Sequence, residues 1–468
     1  MPRDTFDLVV IGSGPAGEKA AAHAAYFGRS VALVERAARP GGAPVYSGGI
    51  PTKTLREAAL YVTGSGRSHL YGVGARVDID VALQVLRRRT GAVMSLMGDR
   101  VEANLRRHDI EMIRGVARFE RRGEVVVETH QGGMRRLRAG AVLIATGSRP
   151  FRPAGIPFDD PDVHDSDTIL SIDRPFKSIV VIGGGPVGCE YASIFTALGL
   201  DVTLVDSAPT LLPFVDGEIS EMLAAAFTRA GMKLRLGSGG AAVERRRGRL
   251  RVSLPGNRAI HPDKVLFAAG RSGNTEGLGL EKVGVKLDER GRVIVNRRYR
   301  TTAPGIYAAG DVIGPPALAS VSMEQGRHAA SFALGTPYHH VGASVAPFGV
   351  YCVPEVGMVG LTEAAGGDGC VVGRSLFAAN PRANIAGATE GMVKLVFRRR
   401  DRRLVGAHIV GEIAAEMIHV AQAVLEFKGT VDYFVHTTFN VPTWTDAYKY
   451  AAFDALGQLE AGAPRRRR

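Results

Sequence analysis

The hydrophobic pattern changes period several times along the chain, and each change predicts an element. A polar N-terminal tail gives way to FDLVVIG, a nearly continuous apolar run that reads as a strand buried on both faces. The turn Gly12-Ser13-Gly14-Pro15-Ala16-Gly17 interrupts it, and an alanine-rich stretch to Tyr26 predicts a helix that Gly28 closes. SVALVE then predicts a second strand ending on Glu35. Further on, SIVVIG leads into Gly183-Gly184-Gly185-Pro186-Val187-Gly188, a second helix, and the strand DVTLVD ending on Asp206. AVLIATGS (Ala141–Ser148), KVLFAAGRSGN (Lys264–Asn274) and TTAPGIYAAGDV (Thr301–Val312) each read as a buried strand that stops at a glycine turn. Strands alternating with helices predict an α/β fold.

The two turn units are an internal repeat. Gly12 maps to Gly183, Gly17 to Gly188 and Glu35 to Asp206 at one offset of 171 residues (183 − 12, 188 − 17, 206 − 35). A lone GxGxxG is weak, because glycine-rich turns are common. Here each follows a strand, opens a helix and precedes an acid at the end of the next strand, which is the dinucleotide-binding fingerprint. The chemistry needs each part. Gly12 and Gly183 make the tight turn, Gly14 and Gly185 let backbone N–H groups approach a pyrophosphate, and Gly17 and Gly188 permit close helix–strand packing. Glu35 and Asp206 would accept from ribose hydroxyls. Two dinucleotides are expected.

Composition narrows the class. A length of 468 residues predicts several domains. There is no apolar run of about eighteen residues and no signal-peptide pattern, so no membrane span and a cytoplasmic location are expected. Three cysteines, Cys189, Cys352 and Cys370, lack CxxC spacing, which argues against a disulfide framework and against a cysteine zinc site, and no metal is expected. The net charge of +13 invites a nucleic-acid reading. Its arginine runs, Arg87–Arg89, Arg245–Arg247, Arg398–Arg400 and Arg465–Arg468, are scattered and lack interleaved aromatics, so solvated surface and attraction of anionic cofactors explain them better.

With these strands and the Gly310-Asp311 turn in place, the chain resembles the FAD-dependent pyridine nucleotide-disulfide oxidoreductase superfamily over essentially its whole length. The resemblance implies two Rossmann-like dinucleotide-binding domains, the NAD(P) domain inserted in the FAD domain, plus a C-terminal α+β dimerisation domain. The divisions are 1–150 and 275–342 for FAD, 151–274 for NAD(P), and 343–468 for the homodimer interface with a basic tail. PEVGMVGLTE (Pro354–Glu363) and LVGAHIVGEIAAEMIHVAQAVLEF fit the last. It implies FAD at Gly12, Gly14, Pro15, Ala16, Gly17, Glu35, Gly42, Thr52, Lys53, Ala145, Thr146, Gly147, Gly310 and Asp311. It implies the nicotinamide carrier at Gly183, Gly185, Gly188, Glu190, Asp206, Gly270 and Arg271. HDSDTIL, GCEYASIF, GRSGNTEGLGL, YAAGDVIGPPALAS and YFVHTTFNVPT look like the soluble, Si-specific pyridine nucleotide transhydrogenase branch, which passes hydride between NAD(H) and NADP(H).

In the disulfide-reducing members the loop after the first acid reads GGxCxxxGCIPSK. Here Gly41–Lys53 carries Pro44 and Gly49 at the cysteine positions, and neither can be the thiolate that disulfide exchange requires. The family's C-terminal HPTxxE base is missing too: Val441 stands where the imidazole belongs, and His436 upstream reads as an ordinary surface or interface histidine. Disulfide reduction is excluded. Lys53 and Glu190 survive, and the resemblance makes them an ion pair beside flavin N5 that tunes hydride transfer. The expected chemistry is a ping-pong hydride relay through the flavin.

One position strains this reading. NADP(H) sites usually offer arginine to the 2′-phosphate, yet Asp206 is followed by Ser207-Ala208-Pro209-Thr210. Two like charges about 4 Å apart cost roughly 1–4 kcal/mol, about ten- to a thousandfold in favour of NAD(H). Arg271 is a base from another loop that could answer it. Two alternatives stand beside transhydrogenation: an NADH-dependent diaphorase passing electrons to a quinone or other small acceptor, and a flavoprotein whose main role is partner binding.

Overall fold

Short β-branched and leucine-rich runs flanked by glycine turns build two parallel sheets that share the order of four strands, the fifth coming last in the chain in one and first in the other. In the computed structural model, which describes residues 4–64, 70, 72, 79–172, 174–238, 241–256, 258–338 and 346–461, the first sheet sets Glu111–Arg121, Val31–Glu35, Thr5–Ile11, Met134–Ile144 and Ile306–Ala308 side by side in parallel. The second sets Lys233–Arg235, Asp201–Val205, Ser178–Ile182, Lys264–Phe267 and Val163–Asp165 in the same way. The central strands show no alternation of apolar and polar residues, because runs such as Ile179–Ile182 are buried on both faces. The basic run Arg465–Arg468 and the expected domain start at Ala343 lie outside the described residues.

The chain divides into two compact units: Met1–Thr54, Arg87–Phe151 and Gly270–Val341 form one, and Leu55–Leu86, Arg152–Ala269 and Gly342–Arg468 the other. The first contains the sheet that follows the Gly12 turn. Its long strands Glu111–Arg121 and Met134–Ile144 run past the parallel sheet, and Glu124–Thr129 pairs antiparallel with both extensions. Helix Pro15–Tyr26 packs on helix Ala319–Leu334, where a side chain on Gly326 would run into the Ala16 carbonyl. Gly270 and Arg271 belong here because strand Arg271–Gly273 pairs with Ser148–Pro150, so the return to this unit comes a few residues before the expected 275.

The second unit joins the other parallel sheet to the C-terminal sheet, rather than leaving segments 151–274 and 343–468 separate. That C-terminal sheet is antiparallel, ordered Phe348–Val350, Glu355–Gly360, Leu404–Gly411, Met392–Arg398 and Cys370–Leu376, with helices Ala414–Glu426 and Ala447–Ala461. One apolar core spans both parts: Ile179, Tyr191 and Phe195 share it with Val350, Cys352 and Val356. Ala59 and Leu86 are buried in the same core, which draws Leu55–Leu86 into this unit although sequence continuity placed it with the N-terminal domain. A charged cluster reinforces the junction. Lys394, 2% exposed, meets Asp216 at 2.6 Å, Glu218 at 2.9 Å and Glu363 at 2.6 Å, and Arg374 closes on Glu218 and Glu363 at 2.8 and 2.9 Å. Asp216 also caps helix Gly217–Arg229 by accepting from the Glu218 N–H.

Candidate functional site

The first turn is built around backbone contacts that leave no room for side chains. Gly12 sits at φ +104°, where an L side chain is strained, and a Cβ there would strike the Ala145 carbonyl. A Cβ on Gly17 would strike the Gly12 carbonyl, so this glycine sets how closely the helix approaches the strand. Gly14 caps the helix without a side chain, and Pro15 fills the first helical position, where no N–H is needed. The first-turn N–H groups therefore face an open space: nothing lies within 4 Å of a Cβ on Gly14. A Cβ on Gly42 would come within 2.8 Å of Gly14 Cα, and one on Gly310 within 2.9 Å of Ala16 Cβ. Gly12, Gly14, Ala16, Gly42, Ala145 and Gly310, far apart in sequence, thus come together.

Around this cradle the polar groups are ordered. Glu35, 7% exposed, accepts from Ser13 N–H at 2.9 Å, from the Ser13 hydroxyl at 2.5 Å and from Ala37 N–H at 2.7 Å. Asp311 accepts from the Ser148 hydroxyl at 3.0 Å and the Ser322 hydroxyl at 3.3 Å. Arg271 donates from Nε to Ser148 Oγ and from Nη2 to Ser148 O, both at 2.8 Å, which places it in the first unit. Asn274 holds the Thr146 and Gly147 carbonyls at 3.0 Å each. The Thr146 hydroxyl and the Asn274 side-chain oxygen are buried and accept or donate nothing among the described residues. Ser13, Ser148, Asn274 and Gln325, which accepts from Gly310 N–H at 2.8 Å, are site residues that sequence reading passed over. Ser13 and Asn274 sat within motif strings, whereas Gln325 carries no local signal.

The second turn repeats the backbone bonds of the first. Gly183 N–H donates to Val205 O at 2.8 Å as Gly12 N–H does to Val34 O. Asp206 accepts from Gly184 N–H and, at 2.7 Å, from Ala208 N–H, each 171 residues beyond its counterpart. Gly183 sits at φ +120°, a Cβ on Gly188 would strike the Gly183 carbonyl, and the space beyond Gly185 is open. Two differences stand out. Gly184 replaces Ser13, so the only hydroxyl on the acid among the described residues is the exposed Ser207, at a long 3.5 Å, and Asp206 is half-buried with Ser207, Pro209 and Thr210 exposed beside it.

The loop Gly41–Lys53 shows why no thiol pair operates. A Cβ on Gly49 would lie 2.7 Å from the Pro44 carbonyl oxygen, so the two positions that would carry cysteines are adjacent and both lack sulfur. The cysteines present are elsewhere, and burial pushes the Cys189 and Cys352 thiols far above their usual range, so both stay protonated. Thr52 and Lys53 lie at the start of helix Ile50–Val62, with Lys53 Nζ 3.3 Å from the Thr52 hydroxyl. His436 ends helix Val431–His436, exposed, its ring bonded to the Asp432 carbonyl at 3.0 Å.

Glu190 is 5% exposed on helix Pro186–Ala197 and accepts from Tyr351 N–H at 3.0 Å. Ser193, one turn on, accepts from Val353 N–H at 3.1 Å. Arg56 donates to the Cys352 carbonyl at 3.2 Å and pairs with Glu355 at 3.2 Å. Three side chains therefore fasten Tyr351–Glu355 within the second unit. Burial lifts the Glu355 carboxyl to about 7 in spite of Arg56.

These residues fit two dinucleotides: each helix end offers uncommitted N–H groups to a pyrophosphate, and each acid keeps acceptor capacity for a ribose. No group of three or more metal-ligating side chains occurs among the described residues, and no described helix is long and apolar enough to cross a membrane.

Comparison with known proteins agrees with the geometry. A family model described as pyridine nucleotide-disulphide oxidoreductase matches residues 6–326, and that family's dimerisation domain matches 346–452. The chain is 41% identical over 460 residues to a soluble pyridine nucleotide transhydrogenase of Mycobacterium bovis, covering 97% of this chain and 98% of the relative. It is 38% identical over 460 residues to one from Pseudomonas putida, covering 97% and 99%. Among solved structures it resembles LpdA of Mycobacterium tuberculosis with a TM-score of 0.87 at 27% identity, over 95% of this chain and 99% of that one. The Cu(II) complex of the HOCl-induced flavoprotein disulfide reductase RclA from Escherichia coli gives 0.86 at 26% identity, over 96% and 99%.

Proposed function

This chain belongs to the pyridine nucleotide-disulphide oxidoreductase family, and from that membership we propose that it is an FAD-dependent transhydrogenase passing hydride between NAD(H) and NADP(H). One observation carries the reading: two dinucleotide turns matched in their backbone bonds, with Pro44 and Gly49 where a thiol pair would stand. Electrons taken from one nicotinamide then have no disulfide to enter, and a second nicotinamide entering the same turn once the first has left is the acceptor.

The residues divide between two ligands. Gly12, Gly14, Pro15, Ala16, Gly17, Glu35, Gly42, Thr52, Ala145, Thr146, Gly147, Gly310 and Asp311 would hold FAD. Gly270 and Arg271 share that unit. Gly183, Gly185, Gly188 and Asp206 would hold the nicotinamide carrier. FAD, when bound, supplies a ring that takes up a hydride and gives it back. Lys53 is assigned the cation that favours the electron-rich form of that ring, and Glu190, held by Tyr351 N–H, is assigned the carboxylate of the nicotinamide-binding unit. Orientation and exclusion of water do the remaining work. The C-terminal domain, with Tyr433, Val441, Tyr450 and Phe453 exposed, pairs two copies, and the enzyme works in the cytoplasm.

A second reading, an NADH-dependent diaphorase for a quinone or other small acceptor, is favoured by Asp206, whose loop contains no base. Stopped-flow separates them. The holoenzyme flavin is expected to be reduced by NADH and by NADPH, then reoxidised by a nicotinamide analogue at a comparable rate. Reduction by NADH alone, with reoxidation by quinone but not by any nicotinamide, would leave the diaphorase.

A further inference from the structure

If NADP(H) is one of the two carriers, its 2′-phosphate must be tolerated beside Asp206, and the residues that follow, Ser207-Ala208-Pro209-Thr210, contain no cation. The neighbouring strand does. Lys233–Arg235 runs parallel to Asp201–Val205 at the sheet edge, with Arg235 opposite Val205. Asp206 N–H donates to the Arg235 carbonyl at 3.1 Å, Ser238 N–H to the Asp206 carbonyl at 3.1 Å, and Gly237 N–H to the Ala208 carbonyl at 2.8 Å. Three backbone bonds thus stitch the turn after the acid to the turn after Arg235. Both lie at the carboxyl ends of parallel strands, the edge at which α/β sheets bind ligands.

The charge on Arg235 is uncommitted. Its side chain is exposed, and Nη1 donates to the Leu234 carbonyl at 3.0 Å; no carboxylate pairs with it among the described residues. Lys233 on the same strand is paired with Asp201 at 2.8 Å, and Arg229 at the end of the helix before it with Glu390 at 2.7 Å. The repeat sharpens the point. In the first unit the same register, opposite Val34, holds Ile113, 6% exposed and packed in the core. A position that is apolar and covered in one fold is an exposed guanidinium with no carboxylate partner among the described residues in the other.

We propose that Arg235 binds the 2′-phosphate of NADP(H), with the exposed Ser207 hydroxyl turning from its long 3.5 Å contact with Asp206 to act as a second donor, and so offsets the repulsion from Asp206. The inference rests on the two-carrier reading above. A guanidinium matches a phosphate in both charge and hydrogen-bond geometry, and losing one charged hydrogen bond costs about ten- to a hundredfold in binding.

The test measures flavin reduction by NADPH and by NADH in the holoenzyme and in Arg235→Ala and Arg235→Lys, with adenosine 2′-monophosphate as competitive inhibitor. In Arg235→Ala the ratio of kcat/KM for NADPH to that for NADH is expected to fall about tenfold or more, through KM rather than kcat, and inhibition by adenosine 2′-monophosphate to weaken in parallel. Arg235→Lys should recover part of both. Because the readout is a ratio within one variant, a general loss of folding or flavin cannot produce it. An unchanged ratio and unchanged inhibition in Arg235→Ala, with wild type reduced by both carriers, overturns the role of Arg235 and leaves the two-carrier reading intact. A wild-type flavin that NADPH cannot reduce overturns that reading itself, and Arg235 with it.

Discussion

The two dinucleotide folds of this chain share the order of four strands, the glycine turns and the backbone bonds to their acids, yet they differ in how those acids are housed. Glu35 is buried and braced by the Ser13 hydroxyl, which is itself held by Gly41 N–H at 3.1 Å. Asp206 is half-buried, faces Gly184 instead of a serine, and opens onto exposed Ser207, Pro209 and Thr210. The edge strands differ in the same sense. Glu111–Arg121 continues into pairing with Glu124–Thr129, whereas Lys233–Arg235 ends as a free edge. A ligand that stays needs a closed, rigid acid, and one that must leave each turnover needs an open one. One motif serves both ends because the turn supplies only the pyrophosphate site, while the surroundings set how firmly the ribose is held.

The assignment of ligands to folds can be broken with one lesion made twice. Gly17→Ala and Gly188→Ala each drive a methyl into a carbonyl, Gly12 or Gly183. The first is expected to yield protein stripped of most of its flavin, and the second a yellow protein whose reduction by NADH slows roughly ten- to a hundredfold. Flavin content and stopped-flow rates check this, and the reverse outcome would exchange the two sites.

The second fold also leans on its junction with the C-terminal sheet, and it is there, among the described residues, that a lysine lies buried among three carboxylates. Lys394→Met is expected to destabilise the protein by about 3–5 kcal/mol in urea unfolding, because Asp216 is left buried and uncompensated. A loss below about 1 kcal/mol would show that the cluster is incidental to the junction.

The smallest effect concerns Glu355, whose carboxyl is raised from 4.5 to about 7 by burial. Between those values the native protein keeps a proton that the unfolded chain has released, so stability falls as pH rises through that window. Glu355→Gln removes the titration. Relative to wild type the variant should gain by up to about 3 kcal/mol between pH 4.5 and 7, with no further change above it. Parallel pH profiles for the two proteins would place the Glu355 carboxyl in its ordinary range.

Much of this is legible in the chain alone. The constant offset between Gly12–Glu35 and Gly183–Asp206 is local information, because a strand, a tight turn and a helix start are each set by residues within a few positions. The same holds for the absence of sulfur at Pro44 and Gly49. What the one-dimensional pattern could not carry is partnership across long separations. Ser13 bracing Glu35, Asn274 holding Thr146, Arg56 fastening Glu355, and Leu55–Leu86 joining the second unit all depend on packing between segments up to about three hundred residues apart. The missing cation beside Asp206 is the clearest case. Reading forward along the loop finds Ser207 to Thr210 and no base, whereas strand pairing sets Arg235 beside it, because a parallel sheet makes neighbours of residues that sequence holds apart.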